Sequence, residues 1–269
     1  MLCVTTLASG SGGNSLLVSG RGTHILIDAG ISCRRITTAL GQLGVDPTQL
    51  SAVLITHEHS DHICGLATMV KKLSFHIYAS PGTARQLSYR IAIPPQRLHA
   101  VEPGYSFAIG PLTCRSFPTS HDSAQSTGYT VELDGQRMAL ATDLGHVTAP
   151  VLNAVLGSQV VVLESNHDVD WLRSGPYPVY LQQRILGDRG HLCNEAGAEL
   201  AVQAVQAGAH TVILAHLSQE NNTPARALDV TRRRLLAADI DPDRDVRLSV
   251  APRSEPGPVW PVRKEEALC

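Results

Sequence analysis

The feature that most constrains this chain is a pattern in which a short apolar run stops at a histidine or an acidic side chain. The clearest case is the run Val53-Leu54-Ile55-Thr56, which leads directly into His57-Glu58-His59-Ser60-Asp61-His62. Four further runs stop at such a residue or a few positions before it: 113–118 before His121, 138–142 before Asp143, 160–163 before Glu164, and 211–215 before His216. Strand ends that repeatedly deliver such groups predict one site along one edge of a β-sheet assembly.

The apolar runs are short, β-branched and bounded by glycine, proline or polar clusters, which is typical of strands. We predict strands at Leu2–Leu7, Ser15–Val18, Ile25–Asp28, Ala52–Thr56, His76–Ala79, Leu112–Phe117, Gly128–Leu133, Met138–Thr142, Val160–Glu164, Thr211–Ala215 and Val246–Val250. Helical spacing predicts helices at Ile36–Leu43, His62–Leu73, Pro81–Tyr89, Ala149–Leu156, Tyr180–Leu186, Asn194–Ala207 and Pro224–Ala238. Strands that first come in pairs and later alternate with helices predict an α/β (α+β) fold, with two β-sheets packed face to face and helices outside.

The chain is long enough to bury a sizeable core, and it has no linker-like segment before residue 250. We therefore predict a single domain over residues 1–250. Residues 251–269 form a tail rich in proline and charge, which is expected to lie on the surface or to fray.

Charge and cysteine usage narrow the class of protein. The 22 basic and 24 acidic residues give a net charge of −2, which neither supports nucleic-acid binding nor excludes a local basic patch. The six cysteines are scattered without a Cys-x-x-Cys pair, which argues against a disulfide framework and favours a reducing compartment, the cytoplasm. The N-terminus lacks the pattern of a secretory signal, and no apolar run approaches the ~18 residues of a membrane-spanning helix.

The segment 57–62 has the composition and spacing of a metal site. His57 and His59 are two positions apart, so in an extended segment their side chains point the same way. Asp61 and His62 begin the next element and can face a second ion. Together with the strand-end residues they give too many ligands for one tetrahedral ion and a suitable number for two, with one residue bridging and a position open for water: His57, His59, Asp61, His62, His121, Asp143 and His216. Imidazole and carboxylate ligands suit Zn or Mn.

Several residues outside this set have two interpretations. Asp28, at the end of a predicted strand, either braces the metal loop or starts a turn. Ser9, Ser11 and Asn14 lie in a glycine-rich segment and either touch a phosphate or belong to a tight turn. Five further histidines have no such context and are expected at the surface or hydrogen-bonded in the core: His24, His76, His99, His146 and His210.

On these residues, the chain resembles the metallo-β-lactamase fold superfamily and, within it, the WalJ/YycJ-type exonucleases. The motif His-x-His-x-Asp-His by itself is specific only to the superfamily. The narrower resemblance rests on segments spread over nearly the whole chain: LASGSGGNSLLV at 7–18, ILIDAGIS at 25–32, VLITHEHSDHICGL at 53–66, PTSHDSAQSTGY at 118–129, LATDLGHV at 140–147, LESNHD at 163–168, GDRGHLCNE at 187–195 and ILAHLSQENN at 213–222.

The resemblance implies a four-layer αββα sandwich with a dinuclear metal site in its cleft. It assigns His57, His59 and His121 to one ion. It assigns Asp61, His62 and His216 to the other ion, with Asp143 as the bridging ligand. The implied activity is phosphodiester hydrolysis by a metal-bridging hydroxide. The implied substrate is a nucleic acid, DNA degraded in the 5′-to-3′ direction, with a link to DNA repair.

Phosphodiester hydrolysis also needs a proton for the leaving 3′ oxygen. His191, in the polar loop Gly187-Asp188-Arg189-Gly190-His191, is the candidate donor, and Glu164 is the candidate that holds its ring in a donating tautomer. The competing interpretation makes His191 a helix cap and Glu164 the partner of a surface cation. Asp61 counts as a candidate catalytic residue as well as a ligand.

Other functions stay open at this point. The same ions could hydrolyse a small ester, thioester or lactone, or the protein could be an RNA-processing nuclease, because a fold does not choose among these substrates. A non-catalytic protein with structural metals is opposed by a ligand set without cysteine. A nuclease should carry a basic strip beside the metals. The candidates are Arg34-Arg35, Lys71-Lys72 and Arg232-Arg233-Arg234, each of which is also typical of a solvated helix face.

Overall fold

The computed structural model describes residues 1–262, which form two β-sheets packed face to face. The strands are β1 (Leu2–Ala8), β2 (Ser15–Gly20), β3 (Thr23–Ile27), β4 (Leu50–Leu54), β5 (His76–Ala79), β6 (Leu98–Ala100), β7 (Ser106–Ile109), β8 (Leu112–Pro118), β9 (Thr127–Leu133), β10 (Gln136–Ala141), β11 (Val160–Glu164), β12 (Thr211–Ala215), β13 (Arg247–Val250) and β14 (Trp260–Pro261). The helices are α1 (Cys33–Gln42), α2 (Ser60–Ile63), α3 (Leu66–Lys72), α4 (Pro81–Arg90), α5 (Ala149–Val155), α6 (Val169–Ser174), α7 (Val179–Leu186), α8 (Asn194–Gln206) and α9 (Pro224–Leu236).

Each sheet contains seven strands and has a parallel half. The first sheet has the order β14-β1-β2-β3-β4-β5-β6, and the second has the order β13-β12-β11-β10-β9-β8-β7. Strands β3 to β6 are parallel neighbours, and so are β10 to β13. Because parallel neighbours end at the same edge of a sheet, each half gathers its carboxyl-terminal strand ends in one place.

Three apolar layers hold the sandwich together. Helices α1, α3 and α4 cover the outer face of the first sheet through residues such as Leu40, Met69 and Leu87. Helices α5, α8 and α9 cover the second sheet, and a middle layer that contains Leu2 and Val131 fills the space between the sheets. The order helix, sheet, sheet, helix is the predicted four-layer αββα sandwich, so the fold prediction is confirmed.

Strand β10 shows how the sequence builds two of these layers at once. Met138 and Leu140 face the middle layer, whereas Ala139 and Ala141 face the helices. A parallel strand that is buried on both faces has no polar face, so its sequence is a continuous apolar run rather than an alternating one. The same holds for β11, in which all five residues are buried.

The single helix predicted at His62–Leu73 is wrong, because the segment forms two helices, α2 and α3. The chain bends at Gly65, where an added Cβ would lie 2.2 Å from the carbonyl oxygen of Ile31. That close approach depends on a residue 34 positions away and leaves no local pattern. Four elements were not predicted: β6, β7, β14 and α6.

The expectation that the tail lies on the surface or frays is wrong at residues 260–262. Trp260 and Pro261 form β14, which pairs with β1, and Val262 is fully buried in the middle layer. Burial of this apolar side chain stabilises the pairing of a strand that consists of only two residues. Residues 263–269 lie outside the described part of the chain, and the boundary of the domain at residue 250 stays a prediction.

The cysteines at 3, 33, 64, 114 and 193 are free thiols. Among residues 1–262 there is no helix with the length and apolar character needed to cross a membrane.

Candidate metal centre

The predicted strand ends meet at one edge of the sandwich. Asp28 follows β3 directly, and the segment that begins at His57 comes shortly after β4, the parallel neighbour of β3. In the second sheet Asp143 comes just after β10, Glu164 ends β11 and His216 follows β12. These three strands are parallel neighbours, so their ends lie side by side.

Three of these strand ends turn in the left-handed backbone conformation. Asp28, Asp143 and His216 have φ angles of 63°, 60° and 56°. Aspartate and histidine adopt this conformation more readily than most residues, but each such position still costs about 1–3 kcal/mol. All three side chains are buried. The chain therefore turns abruptly at these residues while it keeps their side chains inside.

Side chains are called metal-competent here when their ligand atoms lie within 4.8 Å of one another and could hold one ion. The first such group consists of His57, His59 and His121. His59 Nδ1 lies 3.0 Å from His57 Nε2 and 3.3 Å from His121 Nε2. His121 Nδ1 donates to the carbonyl of Gly190 at 3.1 Å, so Nε2 of His121 keeps a free lone pair. Burial lowers the pKa of His57 and of His59, which favours the neutral rings that bind metals.

The second group contains Asp61, His62 and His216. His62 Nε2 lies 3.4 Å from Asp61 Oδ2. On the other side of the ring, His62 Nδ1 lies 2.7 Å from Asp28 Oδ2. Asp28 also accepts hydrogen bonds from the backbone N–H and the hydroxyl of Thr56. The interpretation of Asp28 as a brace is therefore confirmed: it fixes the His62 ring with Nε2 towards the group.

The glycine-rich segment 9–14 supports the second group from behind. Ser9 Oγ accepts a hydrogen bond from the backbone N–H of His216 at 2.8 Å, and Asn14 Oδ1 lies 3.2 Å from His216 Nδ1. The amide nitrogen of Asn14 lies 3.5 Å from Asp61 Oδ2. Ser9 and Asn14 thus position ligand candidates, whereas Ser11 lines the cavity in front of them.

Asp143 lies between the two groups. Its Oδ1 is 3.2 Å from His216 Nε2 and 3.8 Å from His121 Nε2, and its Oδ2 is 3.5 Å from His62 Nε2. Oδ2 is buried and has no hydrogen-bond partner among the described residues. Burial alone would raise the pKa of Asp143, but the surrounding imidazoles hold it well below its usual range. A buried carboxylate with a free oxygen among several imidazole nitrogens fits divalent cations, because a buried carboxylate oxygen without a partner is otherwise costly.

His191 and Glu164 form a pair that adjoins the second group and that, with Asp143 and His216, makes up a further set of metal-competent side chains. His191 Nδ1 lies 2.7 Å from Glu164 Oε1, while Glu164 Oε2 accepts from the backbone N–H groups of Leu144 and Leu192 at 2.8 and 3.2 Å. Burial disfavours the charged imidazole, but the carboxylate of Glu164 outweighs it and raises the pKa of His191 to about 9. Glu164 is fully buried, so its interpretation as the partner of a surface cation is wrong.

A cavity of about 230 Å³ opens in front of the whole arrangement. Its floor is polar and contains His59, Asp61, His121, Asp143, His191 and His216. A further part of the lining, the α7 wall, comes from α7 and the loop before it, with Tyr177, Leu181, Arg184 and Ile185. The rest of the lining consists of Ser11, Asp122, Asn166, Gly190 and Ser218.

Comparison with known proteins gives the family. Residues 23–217 match the family model described as the beta-lactamase superfamily domain. The chain is 37% identical over 237 residues to the exodeoxyribonuclease WalJ of Streptococcus pneumoniae, an alignment that covers 87% of this chain and 88% of the relative. It is 36% identical over 219 residues to the exodeoxyribonuclease YycJ of Bacillus anthracis, with coverages of 81% and 83%.

The chain belongs to the WalJ/YycJ-type family of metallo-β-lactamase fold hydrolases. The resemblance stated from the sequence is thereby confirmed, and the protein is a metal-dependent hydrolase. A solved structure with the same fold is YhfI of Bacillus subtilis, with a TM-score of 0.70 and 15% identity over 97% of this chain and 99% of that chain.

Most of the basic residues proposed for this hydrolase lie away from the site or are neutralised. The three arginines in the run 232–234 each pair with an acidic side chain: Asp243, Asp229 and Glu199. Lys71 and Lys72 form the last turn of α3, at the end farther from the metal motif. Arg34 and Arg35 line a second cavity beside residues 254–256. The interpretation as a solvated helix face therefore describes 232–234 better than a contact to nucleic acid does.

The cavity lining also contains residues that the sequence reasoning missed. Tyr177, Leu181, Arg184 and Ile185 belong to a segment whose sequence shows an ordinary short helix, and only its packing brings it over the site. Asp122 follows the ligand candidate His121 directly, and that adjacency is the one signal that could have identified it. The five histidines without context stay outside the metal-competent groups: His24, His76, His99, His146 and His210.

Proposed function

We propose that the protein is a phosphodiesterase that uses two divalent ions, Zn or Mn, to degrade DNA from the 5′ end. His57, His59 and His121 would hold one ion. Asp61, His62 and His216 would hold the other, and Asp143, which contacts both groups, would serve both ions. The observation that carries the proposal is the position of Asp143, which lines the cavity and contacts both groups: its Oδ1 lies 3.2 Å from His216 of the second group and 3.8 Å from His121 of the first.

Several features of the donor set support two catalytic ions rather than structural ones. The set contains no cysteine, whereas structural zinc sites are usually rich in thiolate ligands. The groups face a cavity that a substrate can enter. When bound, two such ions neutralise charge on a phosphodiester. They also lower the pKa of a bound water molecule, so that hydroxide is available at neutral pH.

Other residues of the chain hold the ligand side chains and the proton donor in place. Asp28, Ser9 and Asn14 fix the ring or backbone of ligand residues, so the groups need little rearrangement. His191 uses Nδ1 for Glu164, which leaves Nε2 to hold a proton for the leaving 3′ oxygen. Asp61 lines the cavity within the second group, and we propose it as a catalytic residue as well as a ligand.

The relatives support the choice of substrate, because both have names that describe a DNA exonuclease. DNA is therefore proposed over a small ester, a thioester, a lactone or RNA. With that substrate we propose a role in DNA repair. The free thiols favour a reducing compartment, the cytoplasm, as the place of action.

The test uses the full chain loaded with Zn or Mn in turn. DNA and RNA strands that carry a label at either the 5′ or the 3′ end are incubated with it, and early products are separated by size. The proposal expects labelled mononucleotides from 5′-labelled DNA and a gradually shortening ladder from 3′-labelled DNA. Preferred cleavage of RNA, or turnover of a thioester or lactone with intact DNA, would contradict it.

A further inference from the structure

Helix α7 differs from the other long helices because none of its residues is buried. Val179 and Tyr180 at its start are 67% and 72% exposed. Packing against the core therefore does not explain why a helix lies at this position. Leu181 and Ile185 of this helix nevertheless line the cavity that the metal-competent groups face, together with Tyr177 in the loop just before the helix.

The end of α7 is tied to the catalytic loop. The backbone N–H of His191 donates to the carbonyl of Ile185 at 3.0 Å. Gly190 permits this contact, because an added Cβ there would lie 2.1 Å from the same carbonyl oxygen. Arg184 Nε donates to Asp122 Oδ2 at 2.5 Å, which holds the helix to the loop that follows His121. The wall thus has a fixed position relative to the groups that would bind a phosphate.

The cavity has a part that binds cations and a part that is apolar, so it fits a ligand that has both an anionic group and an apolar group. The floor carries the cation-binding groups and suits an anionic phosphate. The wall offers an aromatic ring and two aliphatic side chains, and suits a flat apolar body. A nucleotide at the end of a DNA strand has this combination, and an aromatic side chain stacks on any base because every base has a π face.

We propose that the α7 wall, which consists of Tyr177, Leu181, Arg184 and Ile185, binds the base of the terminal nucleotide. Tyr177 is the residue on which the base stacks. The inference rests on the proposed function and extends it: the enzyme recognises an unpaired end by its last base, whatever the sequence. Leu181 and Ile185 add apolar surface to the lining of the same cavity. Tyr177 is a binding residue, and its loss should weaken binding of the nucleotide while the phosphate-binding side stays intact.

The test measures binding rather than turnover. Isothermal titration of the metal-loaded protein compares thymidine 5′-phosphate with 1,2-dideoxyribose 5-phosphate, which is the same ligand without its base. The wild type should prefer the nucleotide by about 5- to 150-fold, since stacking on one aromatic side chain contributes about 1–3 kcal/mol and 1.4 kcal/mol is tenfold. Tyr177→Ala should remove this preference, and Tyr177→Trp should keep it.

Two controls make the result specific. Tyr180→Ala removes an exposed tyrosine of α7, three residues after Tyr177, that does not line the cavity, and should leave both dissociation constants unchanged. Unchanged affinity of Tyr177→Ala for the base-free ligand shows that the variant is folded and loaded with metal. Equal affinities of the wild type for the two ligands, or an undiminished preference in Tyr177→Ala, would overturn the inference.

The same preparations are tested for degradation of labelled DNA, which separates this inference from the proposed function. A wild type that prefers the nucleotide but leaves DNA intact supports the α7 wall and contradicts the proposed activity. A wild type that degrades DNA without preferring the nucleotide supports the activity and contradicts the α7 wall.

Discussion

Replacing Glu164 with glutamine should uncouple His191 from its partner while the fold is preserved. The carboxylate is fully buried and serves three donors: His191 Nδ1 through Oε1, and the backbone N–H groups of Leu144 and Leu192 through Oε2. Glutamine has only one oxygen. If its NH₂ group faced the two backbone donors, both would lose their acceptor at about 1–3 kcal/mol each. The oxygen should therefore stay with the backbone, and the NH₂ group should face His191 Nδ1.

This arrangement requires a neutral His191 ring with its proton on Nε2. In the metal-free protein the pKa of His191 is raised to about 9 by Glu164, although burial acts in the opposite direction. Loss of the carboxylate should lower that pKa, with Asp143 and Asp61 left as the acidic groups that raise it. The rise from the ordinary histidine pKa of about 6.5 to about 9 corresponds to roughly 3 kcal/mol of stability, to which Glu164 makes the largest favourable contribution. Because the folded-state pKa is raised, this contribution is complete below about pH 6.5 and is lost as the pH rises through about 9.

Urea unfolding of the metal-free protein at pH 6 and pH 10 measures the effect. Glu164→Gln should cost more at pH 6 than at pH 10, by up to about 3 kcal/mol, since Asp143 and Asp61 still raise the pKa of His191 in the variant. The matched control is Glu58→Gln, since Glu58 is also buried and accepts from the backbone N–H of Ala124 but has no histidine partner. Its cost should be the same at both pH values. An equal cost of Glu164→Gln at the two pH values would refute the reasoning, because Glu164 would then act only through the backbone.

The loaded enzyme gives a second measurement of the same pair. His191→Ala should lower the hydrolysis rate by about 10²- to 10⁴-fold, the usual range for a general acid, with metal content unchanged. If Glu164 acts through His191, the double variant Glu164→Gln/His191→Ala should be no slower than His191→Ala. A double variant slowed by the product of the two single effects would show that the residues act independently.

Three further changes test other parts of the structure. Asp28→Asn should weaken metal binding at the His62 group about 10- to 100-fold in a chelator competition, because His62 loses its anchor, and an unchanged affinity would count against the brace. Truncation after Val259 removes β14 and the fully buried Val262, so urea unfolding should show a loss of at least about 1.5–3 kcal/mol, and an identical unfolding curve would disprove the packing of this segment. The triple change Arg232→Gln/Arg233→Gln/Arg234→Gln should leave the salt dependence of DNA binding unaltered in an anisotropy titration, because all three charges already have acidic partners; a shallower slope would place them on the DNA.

The sequence predicted the parts of this protein that depend on local pattern. Apolar runs ending at His57, Asp143 and His216 indicated both the strands and the edge at which they meet, because a strand carries its end residue to a place fixed by sheet order. The interruption at Gly65 could not be predicted, since it depends on the carbonyl of Ile31. Val262 was misjudged for a similar reason: its proline-rich surroundings resemble a surface tail, but its partner strand lies at the other end of the chain.

At the site, the metal-competent residues were predictable as a set, but their supports were only partly so. Asp28 was correctly interpreted as a brace, and Asn14 had two interpretations of which neither described its contact with His216. The α7 wall had no signal in the sequence, because Tyr177 gains its position from the fold of the loop and not from any motif. A sequence identifies binding residues that have a characteristic residue type and spacing. Only the structure identifies residues such as Tyr177, which reach the site because of how the chain folds.

The left-handed turns at Asp28, Asp143 and His216 have a consequence for protein engineering. At these positions the side chain that suits the reaction and the residue that suits the backbone are different, since glycine would relieve the turn and lose the donor atom. Thermostability screens carried out on cation-free protein should therefore select substitutions at the very positions that disable the enzyme. A stabilised version of this hydrolase is better sought at its helix surfaces than at its strand ends.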